Sequence, residues 1–344
     1  MESPDPAGAP APSTGSWRAW HREGEPVRLG VSTCLLGEPV RYDGGHARNR
    51  YVMDVLGEHF EYVKVCPEVE SGMPIPRPTI RLVDEGDGIR LVDPKSGDDH
   101  TGSMQAYSER RVSQLMGEGL DGYVLKKDSP SCGMSRIKVY KNGMPASRDQ
   151  RGLFAAELLD AWPGLPVEEE GRLNDLPLRE AFVERVFARH RWRCFLMGSP
   201  DQGDLVRFHT AHKMLLRTHD EEGYRRLGRI VGGGEQADGH PELDLTGRLA
   251  AYELEFQRTM AIPAKIGRHV NVLQHAMGYL KDLLGPAEKR ELLQALEDYR
   301  ARLVPLVVPL TLMRYEVRRH GVDYLAGQLY FDPHPKELML RNHV

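Results

Sequence analysis

Gly122-Tyr123-Val124-Leu125-Lys126-Lys127-Asp128-Ser129-Pro130-Ser131-Cys132-Gly133 decides how the first half of this chain is read. Gly122 to Leu125 is a short apolar run of strand type, and a polar, turn-rich loop carries the chain from it to a cysteine. The same arrangement occurs twice upstream. Leu29 to Thr33 is an apolar strand ending at Cys34, and Tyr62 to Val65 is another ending at Cys66. Helical segments lie between them. Tyr51 to His59 suits a short helix, and Gly102 to Gly117 sets Met104, Tyr107, Val112, Leu115 and Met116 at helical spacing. Leu153 to Trp162 reads as a closing helix. Strands separated by helices predict an α/β, Rossmann-like domain with a mainly parallel sheet over residues 27–165. In such a sheet the carboxyl ends of the strands form the crevice that binds ligands. Three cysteines that leave three strands at that end are therefore expected to converge.

Working outward, the pattern breaks at Pro163 to Gly171, and everything after it reads helical. The expected helices are Pro177 to Leu196, Asp204 to Thr218, Glu222 to Val231, Asp244 to Met260, Arg268 to Leu284 and Ala287 to Tyr299, with one or two more from Leu303 to His320. Residues 172–344 are thus expected to be an all-α domain, so that the α/β domain is followed by an all-helical one. Two domains suit a chain of 344 residues. Residues 1–26 are expected to be a disordered tail. They are rich in Pro, Ala, Ser and Gly as far as Gly15 and lack the basic start and apolar stretch of a secretory signal.

No stretch approaches the roughly 18–20 continuous apolar residues of a membrane span, so no membrane partner is expected. The net charge of −4 is uneven. Residues 171–344 hold 26 Lys+Arg against 23 Asp+Glu, a net +3, and the remainder holds 20 against 27, a net −7. The helical half is the better candidate for meeting a polyanion. Four cysteines in this length are not a disulfide framework, and a reducing cytoplasm is the expected location.

Cys34, Cys66 and Cys132 sit beside Gly or Pro, in loops suited to folding around a bulky group. Structural zinc normally takes four ligands, whereas three thiolates on a [4Fe–4S] cluster leave one iron open. From spacing alone, separate buried cysteines and a zinc site remain alternatives. Cys194, among Trp192, Phe195 and Leu196, is expected to be packing.

Val31-Ser32-Thr33-Cys34-Leu35-Leu36-Gly37, Val40-Arg41-Tyr42-Asp43-Gly44, Val65-Cys66-Pro67-Glu68 and Ser129-Pro130-Ser131-Cys132-Gly133 resemble the thiouracil desulfidase family. The resemblance implies a [4Fe–4S] cluster on three cysteines, with thiouracil sulfur binding the open iron and leaving as sulfide. Phe208 to Lys213, Asn271 to Tyr279, Pro305 to Leu312 and Gln328 to Leu340 resemble a partner domain found fused to it. That arrangement is similar to the two-domain desulfidases that convert 4-thiouridine in transfer RNA to uridine. The expectation is a hydrolytic, non-redox desulfidase acting on transfer RNA that contains 4-thiouridine. A desulfidase of free thiouracil or thiouridine and a non-catalytic iron–sulfur protein that binds RNA are the alternatives.

Such chemistry needs a carboxylate to activate water and return a proton. Glu68, two residues after Cys66, is the first choice and Glu70 the second; a helix cap or surface charge is the plainer reading. Ser129 and Ser131 suit hydrogen bonds to cluster or base, or plain turns. Tyr42 and Asp43 are candidate base contacts, although Asp43-Gly44-Gly45 is equally a turn signal. Lys126 and Lys127 suit a phosphate or base oxygen, or no specific role. In the helical half, Arg189, Arg191 and Arg193 flank Trp192 and are the expected RNA contacts, with solvated helix faces as the alternative. His209, His212 and His275 are a weaker metal-binding alternative.

Overall fold

A computed structural model of the chain describes residues 15–233 and 243–343. The first strands alternate with helices as their periodicity requires. In order come β1 (Arg28–Ser32), β2 (Glu61–Val65), α1 (Pro67–Glu70), β3 (Arg81–Asp84), β4 (Ile89–Val92), α2 (Thr101–Gly117), β5 (Gly122–Leu125), β6 (Ile137–Lys141), β7 (Met144–Gln150), α3 (Leu153–Ala161) and β8 (Val167–Glu169). One sheet has the order β2-β1-β5-β8, and all its pairings are parallel. Tyr51–Val55 and Leu56–Glu58 form π and 3-10 turns rather than a regular helix.

The central strand β1 has β2 on one side and β5 on the other, so the chain switches direction across it. Open α/β sheets bind ligands at such a switch point, outside the carboxyl ends of the strands. Cys34 follows β1, Cys66 follows β2, and the Cys132 loop follows β5.

A second sheet, β4-β3-β6-β7, lay outside the sequence expectation. Its pairs β3·β4 and β6·β7 are antiparallel, whereas β3·β6 is parallel. The β6–β7 hairpin turns at Asn142 and Gly143, with φ of 51° and 79°. Two positive φ values suit the Asn-Gly turns that join twisted antiparallel strands. That dipeptide, after Ile-Lys-Val-Tyr-Lys, was the overlooked signal. The core of this region packs Leu82, Leu91, Ile137 and Val139 of the second sheet with Val65, Tyr123 and Leu125 of the first and with Met104, Leu115 and Phe154 of the helices.

The helical remainder is α4 (Leu176–Leu196), α5 (Gln202–His219), α6 (Glu221–Gly232), α7 (Leu245–Ala261), α8 (Ile266–Leu280), α9 (Pro286–Arg300), α10 (Val307–His320) and the single turn α11 (Asp323–Ala326). Asp201, Asp220 and Asp244 cap α5, α6 and α7 by accepting backbone N–H bonds in the first turn. Trp192, Phe195, Phe208, Tyr252 and Phe256 form a buried aromatic cluster. An α/β region followed by a helical one is the architecture expected. No helix among the described residues is long and apolar enough to cross a membrane.

The division into compact units differs from the expected break at residues 165–172. One unit is Glu23–His190; the other takes Arg191–Val344 with the N-terminal residues through Arg22. The break moves because the first four turns of α4 pack on the first unit. The Arg189 Nε donates to the Leu120 carbonyl at 3.2 Å, and Phe187 meets Phe60 with ring centroids 5.5 Å apart. The glutamate run expected in a linker is β8, paired with β5. Of the expected tail, residues 1–14 lie outside the described residues. Ala19 is buried, and Trp20 stacks on His212 and meets Phe208 at a tilt.

Candidate active site

Cys34 lies in the 3-10 turn Thr33–Leu36 that ends β1. Its carbonyl accepts from Gly37 and Ala47, which folds the following loop back over the strand end. Cys66 is the N-cap of α1, where Pro67 supplies the fixed φ of a first helical position. The Cys66 N–H donates to Glu70 Oε1 at 2.7 Å, and Tyr107 donates to Glu70 Oε2 at 2.7 Å. Glu70 thereby braces the cysteine backbone.

Cys132 rests on a tighter construction. Ser129 Oγ accepts from the N–H groups of Ser131 at 3.2 Å and Cys132 at 3.1 Å. The first N–H groups of α3, which have no partner within the helix, donate to this loop: Leu153 to the Pro130 carbonyl and Ala155 to the Ser131 carbonyl, each at 3.1 Å. Gly152, the α3 N-cap, lies against the same loop. A Cβ there would stand 2.5 Å from the Ser131 carbonyl and 2.9 Å from the Cys132 nitrogen.

The three cysteines line one cleft of about 340 Å³ together with Tyr42, Glu68, Arg77, Lys126, Lys127 and Ser129. Glu68 is held on both oxygens. Arg77, itself buried, donates to Oε2 through Nε at 3.0 Å and through Nη2. Ser131 Oγ donates to Oε1 at 3.1 Å, and Ser129 Oγ lies 3.5 Å from it. Arg77 also donates to the Val40 carbonyl at 3.1 Å. It therefore ties the carboxylate to the loop beyond Cys34. Arg77 was missed in sequence, because an arginine between Pro76 and Pro78 has no periodicity or spacing that points at Glu68.

Burial pushes the Cys34 thiol up to about 11, and the charge of nearby Cys66 adds to the rise. Burial likewise raises Cys66, and raises Cys132 well above 9 with help from Glu68 and Cys34. Each thiol opposes ionisation of its neighbours. Three thiolates in this cleft require a positively charged group among them. Lys126 and Arg41 favour the Cys34 thiolate only as lesser influences. Soft sulfur donors without a fourth cysteine suit an iron–sulfur group with one iron left open. Among the described residues, no three His, Cys, Asp or Glu side chains are arranged to hold a single metal ion.

Other expected residues divide. Tyr42 lines the cleft, with the Arg41 guanidinium 5.4 Å from its ring centroid. Asp43 does not line it and serves the turn, accepting from the Gly45 N–H at 3.0 Å. That N–H, with Arg41, holds its carboxyl below the usual range. Lys126 Nζ is neutralised by Glu170 Oε1 at 2.6 Å, while the Lys127 side chain is exposed. The expected arginine surface on α4 is corrected. Arg189 is buried, with its guanidinium over Trp162, and Arg191 is wholly buried. Arg191 donates to His212 Nε2 at 3.2 Å and the Pro333 carbonyl at 2.8 Å. Arg193 is half-buried. These cations hold helices in place because most of α4 from Phe182 to Phe195 is buried, polar side chains included. The histidine metal alternative also falls, since His212 is engaged at both ring nitrogens. Cys194 is buried beside the aromatic cluster, as expected of packing.

Residues 29–170 match the family model described as 2-thiouracil desulfurase, and residues 213–335 match a protein of unknown function family, DUF1722. A solved structure, the [4Fe-4S]-dependent thiouracil desulfidase TudS, is 33% identical; the match covers 44% of this chain and 97% of that one, with a TM-score of 0.36. The uncharacterized protein YbgA of Escherichia coli (strain K12) is 28% identical over 158 residues, 46% of this chain and 90% of YbgA. The uncharacterized protein YbbK of Bacillus subtilis (strain 168) is 28% identical over 151 residues, 42% of this chain and 97% of YbbK.

Proposed function

The chain belongs to the 2-thiouracil desulfurase family through residues 29–170, and from that premise we propose that it hydrolyses 4-thiouridine in transfer RNA to uridine and sulfide, using a [4Fe–4S] cluster on Cys34, Cys66 and Cys132. The observation that carries this reading is the convergence of those thiols and Glu68 on one cleft at the sheet's switch point. When bound, the cluster supplies an iron without a protein ligand, a soft Lewis acid matched to a thiocarbonyl sulfur.

The chain's own residues handle water and protons. Arg77 fixes Glu68 through Oε2, and the buried Ser131 hydroxyl donates to Oε1, while Ser129 lines the cleft beside it. Glu68 takes a proton from water as the water oxygen bonds to C4 of the pyrimidine. The carbon–sulfur bond then breaks as the C4 carbonyl forms: sulfur leaves with the electron pair and takes the proton from Glu68, and the second water proton leaves the new oxygen, so that hydrogen sulfide and a C4 oxo group result. Water is consumed, sulfide is released, and no net electrons are exchanged. Tyr42 offers a ring beside the base and Lys126 an ammonium at the cleft wall.

Anaerobically prepared protein tested on thiolated transfer RNA, 4-thiouridine and thiouracil checks the reading through sulfide release. Glu68→Gln is expected to keep iron and sulfide content while losing about 10²–10⁴-fold in turnover, the usual cost of removing a general base. Wild-type turnover in Glu68→Gln rejects the assignment of Glu68. Sulfide release from none of the three substrates rejects the desulfidase reading, and release from thiouracil alone rejects transfer RNA.

A further inference from the structure

Beside the cysteine cleft lies a second groove, also about 340 Å³, lined by Arg81, Lys138, Tyr140 and Arg148 of the second sheet. Ile80, Asp128 and Pro130 line both, so the two cavities are immediate neighbours. We propose that this groove binds the phosphate groups of the nucleotide whose base enters the cysteine cleft. The inference rests on the desulfidase reading for what fills the cleft, and it adds where the rest of the substrate lies.

The pleat builds the groove. Along β6, Ile137 and Val139 are buried, while Lys138 and Tyr140 alternate to the other face. The parallel partner β3 pairs Val83 with Tyr140, and the Arg81 guanidinium lies over the Tyr140 ring, 4.6 Å from its centroid. Stacking fixes the plane of the guanidinium and leaves its edge to acceptors, the geometry by which arginine takes phosphate oxygens in pairs. Arg81 Nε is buried without a hydrogen-bond partner. Lys138 and Arg148 are exposed.

Charge points the same way. Elsewhere on this sheet cations meet carboxylates, as Lys141 meets Asp84 at 2.9 Å and Arg90 meets Asp87 at 2.9 Å. Among the described residues, Arg81, Lys138 and Arg148 have no ion pair, and Asp128 is the one carboxylate among the groove-lining residues. Several arginines of the helical unit are already paired. Arg225 pairs with Glu221, Arg226 with Glu255 and Arg319 with Glu288. A free thiobase has no group that would use the groove.

Two variants test this in the full chain: Lys138→Gln/Arg148→Gln, which changes only exposed side chains, and Arg81→Gln. A fluorescent single-stranded oligoribonucleotide without sulfur reports binding by anisotropy across a salt series. Each phosphate contact contributes about 0.7 to the slope of log affinity against log salt. The double variant is expected to flatten that slope by about 1.4 and to weaken low-salt binding roughly tenfold. Arg81→Gln is expected to flatten it by about 0.7. Turnover of 4-thiouridine 5′-monophosphate relative to 4-thiouridine gives a second measure, and the variants should erase any preference for the phosphorylated form. A preference confined to a thiolated oligonucleotide identifies internucleotide phosphates; one already present with the monophosphate identifies the nucleotide's own. An unchanged slope in both variants, or a wild type indifferent to phosphate in every assay, overturns the proposal. Groove-dependent binding without turnover of any thiolated substrate rejects the desulfidase reading and leaves the phosphate groove standing.

Discussion

Replacing the thiol of Cys34, Cys66 or Cys132 by a hydroxyl removes a soft ligand from a site where burial already opposes ionisation. Each single Cys→Ser variant is expected to lose most of its iron and acid-labile sulfide on anaerobic purification. Cys194→Ser, changed within the aromatic cluster instead, should retain both. Iron and sulfide analysis of the four variants decides it, and retention of a full cluster by any of the first three removes that cysteine from the ligand set. Glu68 shows why residue type and position are not enough to assign a role. Glu70 is two positions away and equally acidic, yet it accepts from the Cys66 N–H and Tyr107 and does not line the cleft. Glu68 lines it because Arg77, nine residues on, and two serines beyond β5 hold both of its oxygens.

At the scale of the element, the Cys132 loop depends on the start of α3. The loop carbonyls satisfy N–H groups that the helix itself leaves open, and Gly152 permits the close approach. Gly152→Ala places a methyl group 2.5 Å from the Ser131 backbone, closer than packed carbon atoms approach. The loop must shift, and Cys132 with it. The expected outcome is a folded protein with reduced iron content and a lowered thermal midpoint, reflecting a loss of stability of about 1–3 kcal/mol for overpacking of this kind. Wild-type cluster content in Gly152→Ala would show that the loop position is not set by this contact. Helix α4 carries the opposite lesson. Its arginines flank a tryptophan as nucleic-acid contacts often do, but Arg189 and Arg191 spend their donors on buried carbonyls and on His212.

For the whole molecule, the helical unit is the part whose stability responds to mild acid. His209 is pushed down to about 4 by burial and by Lys213 nearby. His212 is held well below 6.5 by burial and by the Arg191 charge. Both are neutral when folded at pH 7. As pH falls below 6.5 the unfolded chain binds protons that the folded chain refuses, so stability declines, for His209 as far as about pH 4. Each histidine contributes a slope of about 1.4 kcal/mol per pH unit within its window. Denaturant unfolding followed by the near-UV signal of the aromatic cluster should show a lower midpoint at pH 5 than at pH 7. His209→Gln should shrink the difference. A midpoint that does not move between these pH values contradicts burial of neutral histidines.

Local pattern alone determined the strands that end at Cys34 and Cys66, the strand before the Cys132 loop, and the series of helices from α4 to α10. Those features rest on periodicities of two and 3.6 residues, which are local properties of the chain. Turn chemistry at Asn142-Gly143 was equally local and announced the β6–β7 hairpin, though β7 itself, Met144–Gln150, is too polar and exposed to be read as a strand. Tertiary structure decided what touches what. The parallel order β2-β1-β5-β8 brings cysteines 32 and 66 positions apart in sequence, counted as Cys34 to Cys66 and Cys66 to Cys132, to one cleft. Packing elsewhere sets Arg77 on Glu68, buries Arg191 within the helical unit and, among the described residues, leaves Arg81, Lys138 and Arg148 without an ion pair beside the cleft. The reason is that burial and ion pairing depend on neighbours from other elements, and the charge of an arginine reads the same in sequence whether its guanidinium meets solvent, a carbonyl or a phosphate.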